Sequence, residues 1–311
     1  RFLKSIKSEE LILDIDATFI EAHKNTAKWS YKNAPGYMPM VGHINGGYVI
    51  DVDFKEGNEA PASKNLEFIK QCQGQLPIGV KFDRFRADSA SYQAAIFNRC
   101  DKENILFTVT AKKNKNVFDS IKDIKDDTWQ FFSKREKVSE FTHTMQDTDN
   151  AFRMIVIKKD ITPILPTMEE YISDEVMMQY QDEIYYCIAT NDNDLSSEEI
   201  IKLHRQRGET SENKIKELKN GFNMSYLPTS NTQANAFYFA IGTLAYNLFL
   251  LFKQILDSNM QKHTVKTIRY KLYNIAGKVV SHAREITLKV NEQFKELLQN
   301  IRYRAYEESL Q

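Results

Sequence analysis

Apolar and polar positions alternate from Glu10 to Ile20, in Glu-Leu-Ile-Leu-Asp-Ile-Asp-Ala-Thr-Phe-Ile. A period of two is that of a strand, with Asp14, Asp16 and Thr18 on one face and Leu13, Ile15 and Phe19 on the other. Residues 37–44 and 48–54 flank Asn45-Gly46-Gly47, whose tolerance of positive φ predicts a hairpin. Pro61 and Ser63 open a helix towards Gln73, as expected of helix starts. A strand over Gly79 to Ala87 stops at Asp88, a helix covers Ser89 to Cys100, and a further strand covers Ile105 to Ala111. A meander followed by strand–helix–strand crossovers implies an α/β fold: a mixed sheet with helices on its faces.

After Lys112 the pattern changes. Trp129 to Thr144, Phe152 to Lys158 and Glu183 to Thr190 read as strands joined by acidic, polar loops. A helix then begins at Ser196, which forms a capping box with Glu199, and another spans Thr210 to Phe222. Gln233 to Leu256 predicts a long helix whose segment Ala236 to Phe252 is uncharged. That segment falls short of the ~20 residues a membrane span needs, so a buried helix is expected and no membrane partner. The remainder mixes short β-like runs, Thr267 to Tyr273 and Ile286 to Val290, with a charged final helix.

Composition narrows the picture only slightly. In 311 residues, Lys plus Arg and Asp plus Glu both number 42, which speaks against a uniformly basic nucleic-acid clamp. The charge is uneven, however: acid concentrates before residue 200, and bases outnumber acids from Lys253 to Arg304. Cys72, Cys100 and Cys187 are too widely spaced for a metal knuckle or a disulfide framework; with no signal peptide at the start of the chain, a cytoplasmic location is expected.

Chemistry rests on carboxylates. Asp16 sits on the first strand, Asp88 at the end of a later one, and Glu212 on a helix with a buried stripe of Ile215, Leu218 and Phe222. Oxygen donors at strand ends suit Mg²⁺ or Mn²⁺ beside a phosphate. Asp14, Asp51, Asp53 and Asp83 are equally acidic and equally strand-bound, so spacing alone does not choose among them. No Gly-rich phosphate loop and no short nucleophile motif is present.

Three motifs in order resemble the DDE transposases of bacterial insertion sequences. Leu13-Asp14-Ile15-Asp16-Ala17-Thr18 with Gly36-Tyr37-Met38-Pro39 is similar to the family's opening, where an Asp followed by a small residue and Thr carries the first catalytic carboxylate. Arg86-Ala87-Asp88-Ser89-Ala90-Ser91-Tyr92 resembles its second motif, and Gln206-Arg207-Gly208 through Glu212 to Lys219 resembles its Tyr-Arg-Glu-Lys block. Two departures stand out: His204 occupies the Tyr position, and four residues rather than three separate Arg207 from Glu212. The tail from Thr267 to Lys278, with His282-Ala283-Arg284, is similar to the segment that closes these proteins.

The resemblance implies a ribonuclease H-like mixed sheet flanked by helices and interrupted by a β-rich insertion. Residues 1–111 would form the first part of the catalytic core, 112–194 the insertion, 195–258 the catalytic-Glu helix and closing helices, and 259–311 a basic C-terminal segment. It implies catalysis by Asp16, Asp88 and Glu212 holding two Mg²⁺ ions, with Mn²⁺ able to substitute. Phosphate contacts would come from Arg207, Lys219, His204 and Lys216, with Lys214 a weaker candidate. Trp129 would stack on an extruded base; an ordinary aromatic of the β-region is the alternative. The activity implied is cleavage at transposon ends and strand transfer into target DNA, by a homodimer on DNA in the bacterial cytoplasm. The rival readings are a nuclease of the same fold without strand transfer and a decayed or domesticated DNA-binding transposase.

Overall fold

A computed structural model describes residues 10–112, 114–161, 178–180 and 183–310. Part of the expected insertion, residues 113, 162–177 and 181–182, therefore lies outside the described residues. Contacts group the chain into two compact units, Arg1–Ile215 with Thr229–Thr232, and Lys216–Pro228 with Gln233–Gln311.

The first unit is built on one sheet. Strand β1 (Ile12–Ala17) is followed by β2 (Ile20–Glu21), β3 (Lys28–Trp29) and β4 (Pro35–Tyr37), which form a small separate sheet. The hairpin β5 (Met40–Ile44) and β6 (Tyr48–Asp53) turns at Gly46 and Gly47, both at positive φ. A Cβ on Gly47 would lie 2.7 Å from the Lys214 side chain, so both the turn and the close approach need glycine there. Helix α1 (Asn65–Gly74) leads to β7 (Arg84–Ala87), and α2 (Ala94–Glu103) leads to β8 (Leu106–Thr110). The order is β6-β5-β1-β7-β8, with β1, β7 and β8 parallel, β5 antiparallel to β1, and β6 antiparallel to β5. This is the ribonuclease H-like arrangement. Leu13, Ile15, Phe85, Ala87, Phe107 and Val109 are all buried, as strands covered on both faces require. Phe97 of α2 stacks on Phe107 at 4.2 Å, fixing that helix to the sheet.

The insertion extends this sheet. It begins with a helix absent from the sequence expectation, α3 (Lys115–Lys122), whose buried residues Val117 and Ile121 are four apart behind an Asn114 N-cap. Strands β9 (Gln130–Ser133), β10 (Glu136–His143), β11 (Phe152–Asp160), β12 (Met178–Tyr180) and β13 (Glu183–Thr190) follow. β13 pairs antiparallel with β8, so sheet order continues β8-β13-β11-β10-β9. Helix α4 (Ser197–Arg205) opens with both bonds of the Ser196–Glu199 capping box. It packs Ile200 and Ile201 against Val138, Ile155, Ile157 and Ile188 of the added strands. A π-helical turn, Gly208–Glu212, joins it to α5 (Asn213–Gly221).

In the second unit, α6 (Thr232–Gln254) is followed by α7 (Ser258–Gln261), α8 (Val265–Tyr273), the hairpin β14 (Gly277–His282) and β15 (Glu285–Val290), and α9 (Lys295–Leu310). Three expectations need correction. Thr267 to Tyr273 is helical, not strand-like: Thr264 caps its start, and Val265 and Ile268, three apart, are its buried residues. The Ala236–Phe252 segment is not a fully buried helix, because Phe237, Ile241, Leu244, Leu248 and Leu251 are exposed. Gly79 to Ala87 is also shorter as a strand than expected, since Gly79 turns at φ +83 and pairing begins at Arg84.

Candidate active site

β1 carries two layers of charge. In the inner one, Arg86 Nε and Nη2 donate to the two oxygens of Asp14, each at 2.7 Å. Both residues are buried. Arg86 Nη1 also donates to the Leu203 carbonyl at 2.6 Å, so one guanidinium ties β1, β7 and α4 together. Planar, bidentate pairing of this kind is what makes Arg suited to a buried carboxylate. It commits Asp14 to structure and separates it from its neighbour Asp16, a distinction that spacing alone could not draw. Asp83 is occupied too, accepting the Leu11 N–H at 2.7 Å. Asp51 accepts from Gln75, and Asp53 lies 3.8 Å from Lys55.

The outer layer stands at the C-terminal ends of β1 and β7. The last register pair between these strands is Ile15 with Ala87, which sets Asp16 and Asp88 side by side one residue further on. Asp88 accepts the Ala90 N–H at 3.1 Å and so caps the turn Ser89–Ser91. Arg207 is buried and reaches both other acids, with Nη2 3.6 Å from Asp16 and Nη1 3.9 Å from Glu212.

The extra residue between Arg207 and Glu212 has a structural counterpart in the π-turn. The Asn213 N–H bonds the Gly208 carbonyl five residues back instead of four, which takes up one residue within a helix. Glu212, five positions after Arg207, thereby returns to its side. Ser211 is fully buried beneath it, with Oγ 3.5 Å from Nδ1 of buried His43 on β5. Burial pushes the His43 pKa down to about 4 against the opposing pull of Asp14.

Electrostatics bind the outer layer into one system. Burial raises the Asp16 pKa to about 7; Arg207 lowers it, while Asp88 and Glu212 add to the rise. Burial would lower the Arg207 pKa, but Asp16, Asp88, Asp14 and Glu212 together hold it above its ordinary value. Among the described residues no three carboxylate, imidazole or thiol groups stand in a geometry that would hold a metal ion. In this arrangement the cationic partner of the acids is Arg207. The donor chemistry nevertheless fits a hard divalent cation: three carboxylates, no sulfur or nitrogen donor, and mutual repulsion that a cation would relieve.

The other expected site residues fall elsewhere. His204 is buried beneath α4, its Nε2 3.0 Å from Thr110 Oγ1 and its Nδ1 3.4 Å from Thr108 Oγ1. Burial, with Arg207 and Arg86 nearby, depresses its pKa to about 3. In this arrangement its imidazole is engaged by the two threonines of β8. Arg207, expected as a phosphate contact, faces the carboxylates Asp16 and Glu212. Lys216 is exposed and Lys219 is half-buried, both on α5; burial lowers the Lys219 pKa. Trp129 is partly buried beside a cleft of about 460 Å³ lined also by Lys158, Glu183 and Tyr185. Lys158 Nζ lies 4.9 Å above the indole, and the Tyr185 ring meets it edge-on. Arg86 and His43 were missed as supporting residues; only the Arg of the Arg86-Ala87-Asp88 motif carried any sequence signal.

Comparison with known proteins adds three findings. The family model described as transposase DDE domain group 1 matches residues 1–304. No curated protein matches the chain. Solved structures that match include two of Marinitoga piezophila Argonaute, one with a 5′ OH guide RNA and one with that guide and target DNA. Each is 12% identical with a TM-score of 0.27, over 64% of this chain and 26% of that one. The chain thus spans about a quarter of the Argonaute length.

Proposed function

The chain belongs to the transposase DDE domain group 1 family, and from that premise we propose that it cleaves DNA at the ends of its own element and joins the freed ends to target DNA. The observation that carries this reading is the convergence of Asp16, Asp88 and Glu212 around Arg207, with Asp16 held near neutrality by burial and by the other two acids. Asp16, Asp88 and Glu212 would hold two divalent ions, Mg²⁺ or Mn²⁺. When bound, such ions polarise the phosphate and make water or a 3′-hydroxyl a better nucleophile.

The chain's own residues do the rest. Asp14 and Arg86 fix the strand ends that carry Asp16 and Asp88. Arg207 keeps like charges together before DNA arrives and holds Glu212 over the strand ends. Lys216 and Lys219, further along the helix that follows Glu212, are the cations assigned to backbone phosphates, where contacts position the duplex without reading its sequence. In the first reaction water oxygen attacks the phosphorus at the element's end and the 3′-oxygen leaves with a proton. In the second that 3′-hydroxyl attacks a target phosphodiester and displaces its 3′-oxygen. Two ends require two active sites, so a pair of chains acts on DNA. Trp129, with Lys158 above its ring, is assigned to stacking on a displaced base.

The test uses labelled duplexes bearing the element's terminal repeats, with Mg²⁺ or with EDTA, and the variants Asp88→Ala and Glu212→Ala. Metal-dependent nicking at the repeat boundary and joined products, lost in both variants, are expected. Cleavage without joining would instead identify a nuclease, and DNA binding without cleavage a protein that has lost its chemistry.

A further inference from the structure

Two irregularities in otherwise regular elements meet next to Glu212. One is the π-turn Gly208–Glu212. The other lies in the hairpin: Gly42 pairs with Asp51 but His43 pairs with Val49, so Ile50 is an extra residue of β6. Bulges of both kinds re-aim side chains and are common beside functional sites. The side chains brought together here are His43 and Ser211, each fully buried, with Nδ1 and Oγ 3.5 Å apart. The other ring nitrogen of His43, Nε2, is buried without a hydrogen-bond partner among the described residues. An apolar side chain of similar size would carry no such cost, so packing alone does not call for a histidine at this position.

Glu212 itself is loosely held. Its side chain is 57% exposed against 16% for Asp16, and Arg207 stands 3.9 Å away. Its direction is therefore set by the rotation of the helical turn that carries it. Ser211 and Ile215, four apart and both buried, define the seated face, and Glu212 follows Ser211 by roughly a quarter-turn. The hairpin beneath that face is itself pinned. Asn45 accepts the Ile12 N–H at 2.8 Å and donates to the Glu10 carbonyl at 2.7 Å, and Gly47 lies against the Lys214 side chain. We propose that His43 is a positioning residue for Glu212: by seating Ser211 it fixes the rotation of the π-turn and points the third carboxylate at the strand ends that carry Asp16 and Asp88. Groups that orient metal ligands from behind are worth about 10- to 100-fold in metal affinity, and a histidine that sets the rotation of a ligand's helix acts in the same way.

The inference rests on the reading of Asp16, Asp88 and Glu212 as the cation-binding set, and its test keeps the two apart. Mn²⁺ affinity of the full chain is measured by titration calorimetry without DNA. His43→Leu keeps most of the volume and removes Nδ1, His43→Asn keeps a polar group close to the Nδ1 position, and Ser211→Ala removes the opposing oxygen. His43→Leu and Ser211→Ala should each weaken Mn²⁺ binding about tenfold, and the double variant no more than either, because both act through one contact. His43→Asn should stay within about threefold of the parent. The metal-free melting temperature of His43→Leu should not fall, since the substitution removes an unpaired buried nitrogen. Parent-like affinity in His43→Leu or Ser211→Ala, losses that multiply in the double variant, or no recovery in His43→Asn would overturn the proposal. So would a lower melting temperature with affinity intact, which would assign His43 to packing alone. If His43→Leu does not fold, Ser211→Ala, which deletes a single oxygen, decides the matter. Glu212→Gln separates the two levels: its loss of affinity beside parent-like His43 and Ser211 variants would sink the positioning alone, whereas parent-like binding by Glu212→Gln would sink the carboxylate reading and the positioning with it.

Discussion

Asp14 and Asp16 are two residues apart on the same strand face, yet their surroundings differ in kind. The inner layer is closed. Asp14 and Arg86 satisfy one another with two short charge-assisted bonds, and the spare guanidinium nitrogen finds the Leu203 carbonyl. The outer layer is left in tension. Arg207 stands 3.6 Å from Asp16 and 3.9 Å from Glu212, too long for well-formed hydrogen bonds, and the Asp88 charge acts on both Asp16 and Arg207. A closed layer contributes order. A layer with excess negative charge stores electrostatic strain and loses stability for it.

Breaking the outer layer should cost the most activity. Asp16→Ala, Asp88→Ala or Glu212→Ala is expected to lower end cleavage by about 10³-fold or more, and double variants scarcely further, because groups that act as a unit are not additive. Gel quantitation of nicked product is the check; a clearly additive series would contradict a shared site. Breaking the inner layer should instead cost the fold. Arg86→Met leaves Asp14 buried without its partner and is expected to destabilise by about 3–5 kcal/mol, read from urea unfolding. A loss below about 1 kcal/mol would mean that the pair is not holding the strands.

A third prediction turns on pH. The folded Asp16 pKa, about 7, lies above its ordinary value of 3.8, so the folded chain holds a proton that the unfolded chain releases. The resulting stability is full below about pH 4 and is lost as pH rises through 7. Without metal, Asp16→Asn should therefore melt several degrees above the parent at pH 8 and show no such advantage at pH 4. An advantage independent of pH would show that the carboxylate is not under strain. The smallest effect is expected far from both layers: Trp129→Ala should weaken binding to element ends by about 5- to 150-fold and leave cleavage of bound DNA unchanged, since base–aromatic stacking is worth ~1–3 kcal/mol. Equal binding by parent and variant in a gel-shift titration would leave the indole as packing for Tyr185.

Much of this organisation was legible in the chain, for local reasons. Period two at β1 and glycines at the β5–β6 turn are signals contained within a few residues, as is the Ser196–Glu199 capping box. Helix α3 escaped because its apolar face is only Val117 and Ile121 amid charges. Thr267 to Tyr273 reads as a strand because Ile268, Tyr270 and Leu272 alternate, although the chain buries Val265 and Ile268 at helical spacing. The roles of Asp14 and Asp16 could not be separated locally, because Arg86 is 72 residues away. The burial of His204 is hidden for the same reason: Thr108 and Thr110, its partners in the core, lie on β8, 96 and 94 residues earlier. Resemblance to transposase motifs pointed to Asp16, Asp88 and Glu212 as the catalytic set; the distant partners of Asp14 and His204 supply a physical reason why their neighbours differ.

The most direct test of the outer layer is to count bound Mn²⁺ by electron paramagnetic resonance in the metal-free protein, in Asp16→Asn and in Glu212→Gln. The account predicts saturable Mn²⁺ binding by the parent, at least tenfold weaker binding by each variant, and a parent melting temperature at pH 8 that rises on adding the ion. Equal binding by all three proteins, with no change in melting, would place the cation elsewhere and contradict the account.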